Sequence, residues 1–150
     1  MKVIGLDIGR SNSRYAIIDG DNINVIHGPL EMKKISSLPA LLDYLCKDYP
    51  DIKVWVDTVG IGNAAYNILI NSPSYANRVN GVRIGLDEIP YDDLYQGFKD
   101  WVRSSPELSY LPDTDPDHKY KFMIVAFYGY IVSMRIGIDV SNDHIHVSKA

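Results

Sequence analysis

The feature that most limits what this chain can become is a carboxylate set inside an apolar strand. Lys2-Val-Ile-Gly-Leu-Asp-Ile-Gly9 reads as a buried strand running into a glycine turn, with Asp7 between apolar neighbours. A carboxylate in such surroundings is costly unless it is paired or bound to a metal. The alternative is a strand that simply ends in a turn. Ser13–Ile18 and Ile23–Ile26 follow as β-prone runs separated by Asp19-Gly20-Asp21-Asn22. An Asp-Gly pair between such runs is a hairpin signal, so three short antiparallel strands are expected to open the chain.

Ser36 or Ser37 can cap a helix in which Leu38, Leu41, Leu42 and Leu45 fall at helical spacing, with Pro39 tolerated in the first turn. Ile52–Asp57 reads as a fourth strand, followed by a glycine turn and a helix from Asn63 to Ile70. Val79–Ile84 suits a fifth strand, and Tyr91–Val102 a helix with Leu94, Phe98, Trp101 and Val102 on one side. The prolines and acids of residues 104–118 suggest an exposed loop. Lys119–Ile138 is too densely apolar to show a period; its length favours a buried helix. Ser141 then looks like the N-cap of a final helix, Asn142–Ala150. This order predicts an α/β chain of ribonuclease-H-like fold, a mixed five-stranded sheet flanked by helices.

With 150 residues, 46% of them apolar and 23% charged, the chain fits one globular domain spanning 1–150. Its single cysteine, Cys46, rules out an internal disulfide and zinc sites built from cysteine pairs. No secretory signal is visible, so a cytoplasmic location is expected, or the host cytoplasm for a viral source. The longest nearly apolar run, Phe122–Val132, is 11 residues, well short of the roughly 20 needed to cross a bilayer. No membrane role is expected. Fifteen Lys and Arg against nineteen Asp and Glu give a net charge of −4, so a nucleic acid would have to meet a local basic patch.

Two more carboxylates stand out. Asp57 closes the fourth strand just before Thr58-Val-Gly-Ile-Gly62, and Asp143 begins the expected last helix with His146 three residues on, on the same face. Asp57 also suits a helix cap, and Asp143 a charge favoured by the helix dipole. If strands one and four are neighbours and the last helix crosses them, Asp7, Asp57 and Asp143 converge. Converged oxygen ligands suit Mg²⁺ or Mn²⁺, and two such ions can activate water and stabilise the leaving oxygen of a phosphodiester.

Ile4-Gly-Leu-Asp-Ile-Gly-Arg-Ser-Asn-Ser-Arg-Tyr-Ala-Ile-Ile18 resembles the opening of RuvC-type Holliday junction resolvases and their poxvirus relatives. Val54-Trp-Val-Asp57 is similar to their fourth strand, and 119–150 to their closing helices. The resemblance implies a homodimeric, Mg²⁺-dependent endonuclease that resolves four-way, or otherwise branched, DNA. It assigns Asp7, Asp57 and Asp143 as catalytic metal ligands and puts His146 in the fourth catalytic position. The chain departs from the family in having Asp57 for the usual Glu and His146 for the usual Asp; Asp139 is a candidate substitute ligand. By the same resemblance Lys119 and Lys121 meet DNA phosphates, and Arg10 and Arg14 border the first acid. Lys33 and Lys34 are as well explained by a solvated surface, and Tyr66 follows the turn where the family places an aromatic.

Val56-Asp-Thr-Val-Gly-Ile-Gly-Asn-Ala-Ala-Tyr-Asn-Ile-Leu69 is closer to the nuclease domain of viral DNA-packaging terminases, which also carry an ATPase domain; no P-loop occurs in these 150 residues. Asp7-Ile-Gly-Arg-Ser-Asn-Ser-Arg14 also resembles the first phosphate loop of the actin, sugar-kinase and heat-shock-chaperone superfamily, a nucleotide-binding alternative. A catalytically inactive ribonuclease-H-like scaffold is a further reading. For a homodimer, the apolar side of the helix after Asp57 (Ala64, Ala65, Ile68, Leu69) and residues 122–134 are the expected interfaces.

Overall fold

A computed structural model describes residues 1–85 and 90–134, together with the backbone of 137–141 and 144–148. Strands β1 (Lys2–Asp7), β2 (Arg14–Asp19), β3 (Asn24–Pro29), β4 (Lys53–Asp57) and β5 (Val79–Val82) form one mixed sheet in the order β3-β2-β1-β4-β5. β1, β2 and β3 pair antiparallel, whereas β4 runs parallel to both β1 and β5. The expected five-stranded mixed sheet is therefore present, with β1 central.

Four helices flank it: α1 (Leu38–Leu45), α2 (Gly62–Ile70), α3 (Tyr91–Trp101) and α4 (Lys121–Ser133). Alternation along the central strands sends side chains to opposite faces. Ile4, Leu6, Val54 and Val56 pack with Leu38 and Leu42 of α1 and Ala65 and Leu69 of α2. Val3 and Trp55 pack on the other face with α3 and α4. Among the described residues, no helix is long and apolar enough to cross a membrane.

α4 is apolar all round, the mark of a helix enclosed by its own domain. Phe122 through Phe127, with Tyr130 and Ile131, are buried. Of residues 122–134, expected at a dimer interface, most lie in the core of the chain, while Val132 and Met134 are exposed. In α2, Ala65 and Leu69 are also fully buried, leaving Ala64 exposed and Ile68 half-buried. Half of the apolar side expected at an interface, Ala65 and Leu69, therefore packs on the sheet.

Two segments differ from their expected structure. Residues 137–141 and 144–148 are not helical: β6 (Gly137–Ser141) and β7 (His144–Ser148) pair antiparallel, with β7 beside α3. Ile138 and Val140, then Ile145 and Val147, alternate with polar residues at the period of a strand, and that pattern prevails over the cap signal of Ser141. Residues 104–118 are not simply an exposed loop. A short 3-10 turn at Pro106–Leu108 lies within them, and Leu108, Leu111 and Asp115 are buried.

The packing of α4 on β1 depends on Gly5. A β-carbon there would run into the backbone and β-carbon of Ala126. Because backbone cannot swing aside as a side-chain tip can, Gly5→Ala is expected to cost about 2–3 kcal/mol by overpacking, measured by denaturant unfolding.

Candidate active site

Leu6 pairs with Val56 in the parallel register of β1 and β4, which sets Asp7 beside Asp57 at the carboxyl ends of neighbouring strands. Adjacent strands lie about 4.8 Å apart, and residues in register face the same side. That side is the one covered by α4. Asp57 is buried, with 4% of its surface exposed. Its Oδ1 accepts the Val59 N–H at 3.2 Å, which turns the chain towards α2.

The third group at the site is a lysine. Lys121, the first residue of α4, places Nζ 2.7 Å from Asp57 Oδ2, its side chain only 16% exposed. Asp7 has no such direct partner among the described ion pairs. Burial and then the neighbouring Asp57 carboxylate push the pKa of Asp7 above its ordinary value, while Lys121 pulls it partly back. The helix α4, packed over β1 and β4, thus brings an ammonium to the two carboxylates.

A second buried carboxylate, missed in the sequence, holds the entry to α4. Asp115 is 3% exposed. It accepts hydrogen bonds from Tyr91 Oη at 2.5 Å and from the backbone N–H groups of Lys119 and Tyr120, each at 2.9 Å. His118, in the left-handed region at φ 55°, stacks on the Tyr91 ring with centroids 3.8 Å apart. Burial and the Asp115 carboxylate drive the Tyr91 hydroxyl far above its ordinary pKa. This latch ties α3 to the turn that delivers Lys121. Asp115-Pro116 was legible as a turn initiator, but nothing local marked the carboxylate as buried.

The other expected site residues lie at varied distances from this pair in the fold. Arg14 stands opposite Asp7 on β2, and Lys119 is exposed just before α4. Arg10 is exposed on the loop after β1, within which Ser13 Oγ accepts the Gly9 N–H at 3.1 Å and donates to the Gly9 carbonyl at 3.2 Å. Lys121, expected at a phosphate, faces Asp57 instead. Tyr66 lies near Gly81 of β5. Asp143 lies outside the described residues. Asp139 and His146 are backbone partners across β6 and β7, so His146 stands in a strand and not in the expected last helix. Among the described residues, no three His, Cys, Asp or Glu side chains gather as a metal cluster.

Asp7 and Asp57 are thus the pair that the fold assembles, and two predictions follow from their charges. With its pKa raised by folding, Asp7 binds its proton more tightly in the native state than in the unfolded chain. Stability from this group is fully present below the unfolded value of 3.8 and is lost as pH rises through the folded pKa. Asp7→Asn should therefore raise the melting temperature at pH 7, with the gain shrinking towards pH 4, in paired thermal melts. Lys121→Met leaves the buried Asp57 carboxylate without its counter-charge. It should destabilise the fold by about 3 kcal/mol, and Asp57→Asn in the same chain should recover part of that loss in urea titrations.

Comparison of the chain with known protein families, with curated proteins and with solved structures found no match.

Proposed function

We propose that this chain is a divalent-metal-dependent DNA endonuclease of ribonuclease-H-like type, with branched DNA, the four-way junction first, as its substrate. The observation that carries the reading is the placement of Asp7 and Asp57 side by side at the carboxyl ends of adjacent parallel strands. The order of the sheet, with three antiparallel strands followed by a parallel fourth and fifth, supports it. The junction as substrate rests on the resemblance of residues 4–18 and 54–57 to RuvC-type resolvases.

The donor set suits a hard cation. Asp7 offers both carboxylate oxygens, and Asp57 offers an oxygen in competition with Lys121. When bound, Mg²⁺ or Mn²⁺ would activate a water and offset charge on the leaving oxygen. The chain's own residues do the rest. Asp7 and Asp57 would hold the cation at the carboxyl ends of β1 and β4, Lys121 would limit the excess negative charge, and Arg14 and Lys119 would meet neighbouring phosphates. The phosphate-loop alternative is less well supported, because the Gly9 N–H and Ser13 hydroxyl that would serve a nucleotide are hydrogen-bonded to each other.

The Lys121–Asp57 pair favours a second reading, a catalytically inactive ribonuclease-H-like scaffold, since one carboxylate already has a cation on it. A labelled four-way junction, compared with duplex and single-stranded DNA in Mg²⁺ and then Mn²⁺, decides between them. The nuclease reading expects metal-dependent incision of the junction, and Asp7→Asn should lower it by at least two orders of magnitude while junction binding persists. Junction binding with no incision in either metal would establish the scaffold instead. Incision by Asp7→Asn at the unmodified rate would overturn the assignment of the site.

A further inference from the structure

Beside the carboxylates, the same face of the sheet carries a groove of about 400 Å³ lined by Arg14, His27, Tyr110, Lys119, Tyr120 and Phe122. Its floor follows from strand register. Arg14 lies opposite Asp7, and His27 opposite Ala16 two residues further along β2, so both face the α4 side, from β1 outwards. Its other wall is the turn held by Asp115, which supplies Lys119 and Tyr120.

Two properties make the groove unlike an ordinary surface crease. Its cations are not neutralised: among the described residues, neither Arg14 nor Lys119 has a carboxylate at ion-pair distance. Arg14 instead lies over the Phe122 ring, 4.7 Å from its centroid. Its aromatic side is open, because Tyr110 is 51% exposed. The Tyr110 hydroxyl is 3.2 Å from His27 Nε2, and its ring lies 6.3 Å from that of Tyr120. Burial and then Arg14 hold His27 below its ordinary pKa, so the positive charge of the groove comes from Arg14 and Lys119.

A chain of phosphates satisfies the two cations, and a flat unpaired base satisfies an exposed ring fixed at its hydroxyl end. Duplex DNA offers the first but keeps its base faces stacked. We propose that this groove binds a single-stranded DNA segment, with Arg14 and Lys119 on its phosphates and an unpaired base stacked on Tyr110. The inference rests on the DNA reading above for its choice of polymer, and it adds the state of that polymer: unpaired, one strand's width from Asp7. An acidic peptide would use the cations but has no need of the ring.

The test is fluorescence anisotropy in EDTA, which removes cleavage from the readout. An oligothymidine of about ten nucleotides is compared with an abasic oligomer of equal length and charge and with duplex DNA. The unmodified protein should bind oligothymidine about tenfold more tightly than the abasic oligomer, the worth of one base–aromatic stack. Tyr110→Ala should abolish that preference, and Tyr110→Phe should keep it. Lys119→Gln should weaken both oligomers alike and lower the salt slope by about 0.7. Equal affinity for the two oligomers, preference for duplex, or equal competition by polyglutamate would overturn the proposal. The comparison on the unmodified protein decides even where a variant fails to fold. Loss of this binding with metal-dependent incision intact overturns the groove alone. Binding as expected without incision supports the groove and overturns the nuclease reading alone.

Discussion

Much of this molecule depends on how closely α4 can lie on β1. Gly5 leaves no side chain between the strand and the backbone of Ala126, and Gly129 leaves room for the Trp55 ring on the neighbouring β4. A helix set down so near the sheet must be apolar on every side, because α3 covers what the sheet does not. That single approach has consequences at both ends of the helix. At its start it delivers Lys121 to Asp57 and lays Phe122 beneath Arg14; further on it brings Tyr130 against Gly20 in the β2–β3 turn.

The site built at the start of α4 is electrostatically uncomfortable, and the discomfort is local. Asp57 is buried and compensated; Asp7, beside it, is partly buried and carries a raised pKa. A lone ammonium between two carboxylates leaves one negative charge over. Proteins hold such arrangements where the surroundings over-determine the geometry, and here the latch of Asp115, Tyr91 and His118 does so from the far side of the turn. The same carboxylate that organises the backbone of Lys119 and Tyr120 therefore sets where Lys121 can reach. Stability and site geometry share one hydrogen-bonded turn.

What could be read without coordinates were features with local causes. Alternating apolar residues and the Asp19-Gly20 turn mark β2 and β3, and Asp7 declares itself as a charge among apolar neighbours. Asp57 could be picked out because it ends a strand before a glycine turn, and the order of elements then puts the two acids side by side. Features decided by distant partners were not legible. Asp115 sits in a run of prolines and acids that reads as solvated, and only Tyr91, 24 residues away in sequence, gives its carboxylate a reason to be buried. Lys121 looks like a phosphate ligand until the landing point of α4 is known. At the end of the chain two local signals conflicted: a serine cap and acidic first turn against a period-two run of Ile and Val. The run prevailed because an exposed helix with its apolar residues at strand spacing has no single face to bury.

The proposed DNA substrate has to be squared with a net charge of −4, and the cations around the carboxylates are where that balance turns. Charge matters at the distance over which it acts, and beyond about 8–10 Å solvent ions screen exposed groups. On the carboxylate side of the sheet the chain sets three cations of different standing. Lys121 is enclosed and answers Asp57; Arg14 lies next to Asp7 across the strand and is partly sheltered by Phe122; Lys119 is exposed at the rim. The enclosed cation is thus the one that is ion-paired, and the two exposed ones have no carboxylate at ion-pair distance among the described residues. On the proposed reading, a phosphate chain in the groove would meet Arg14 and Lys119 before the residual negative charge of the carboxylate pair at the carboxyl ends of β1 and β4. That residual charge repels a phosphate and attracts a cation, so occupancy by a small dication is what would let the two meet. The single ammonium of Lys121, held on Asp57, is too little to complete that neutralisation.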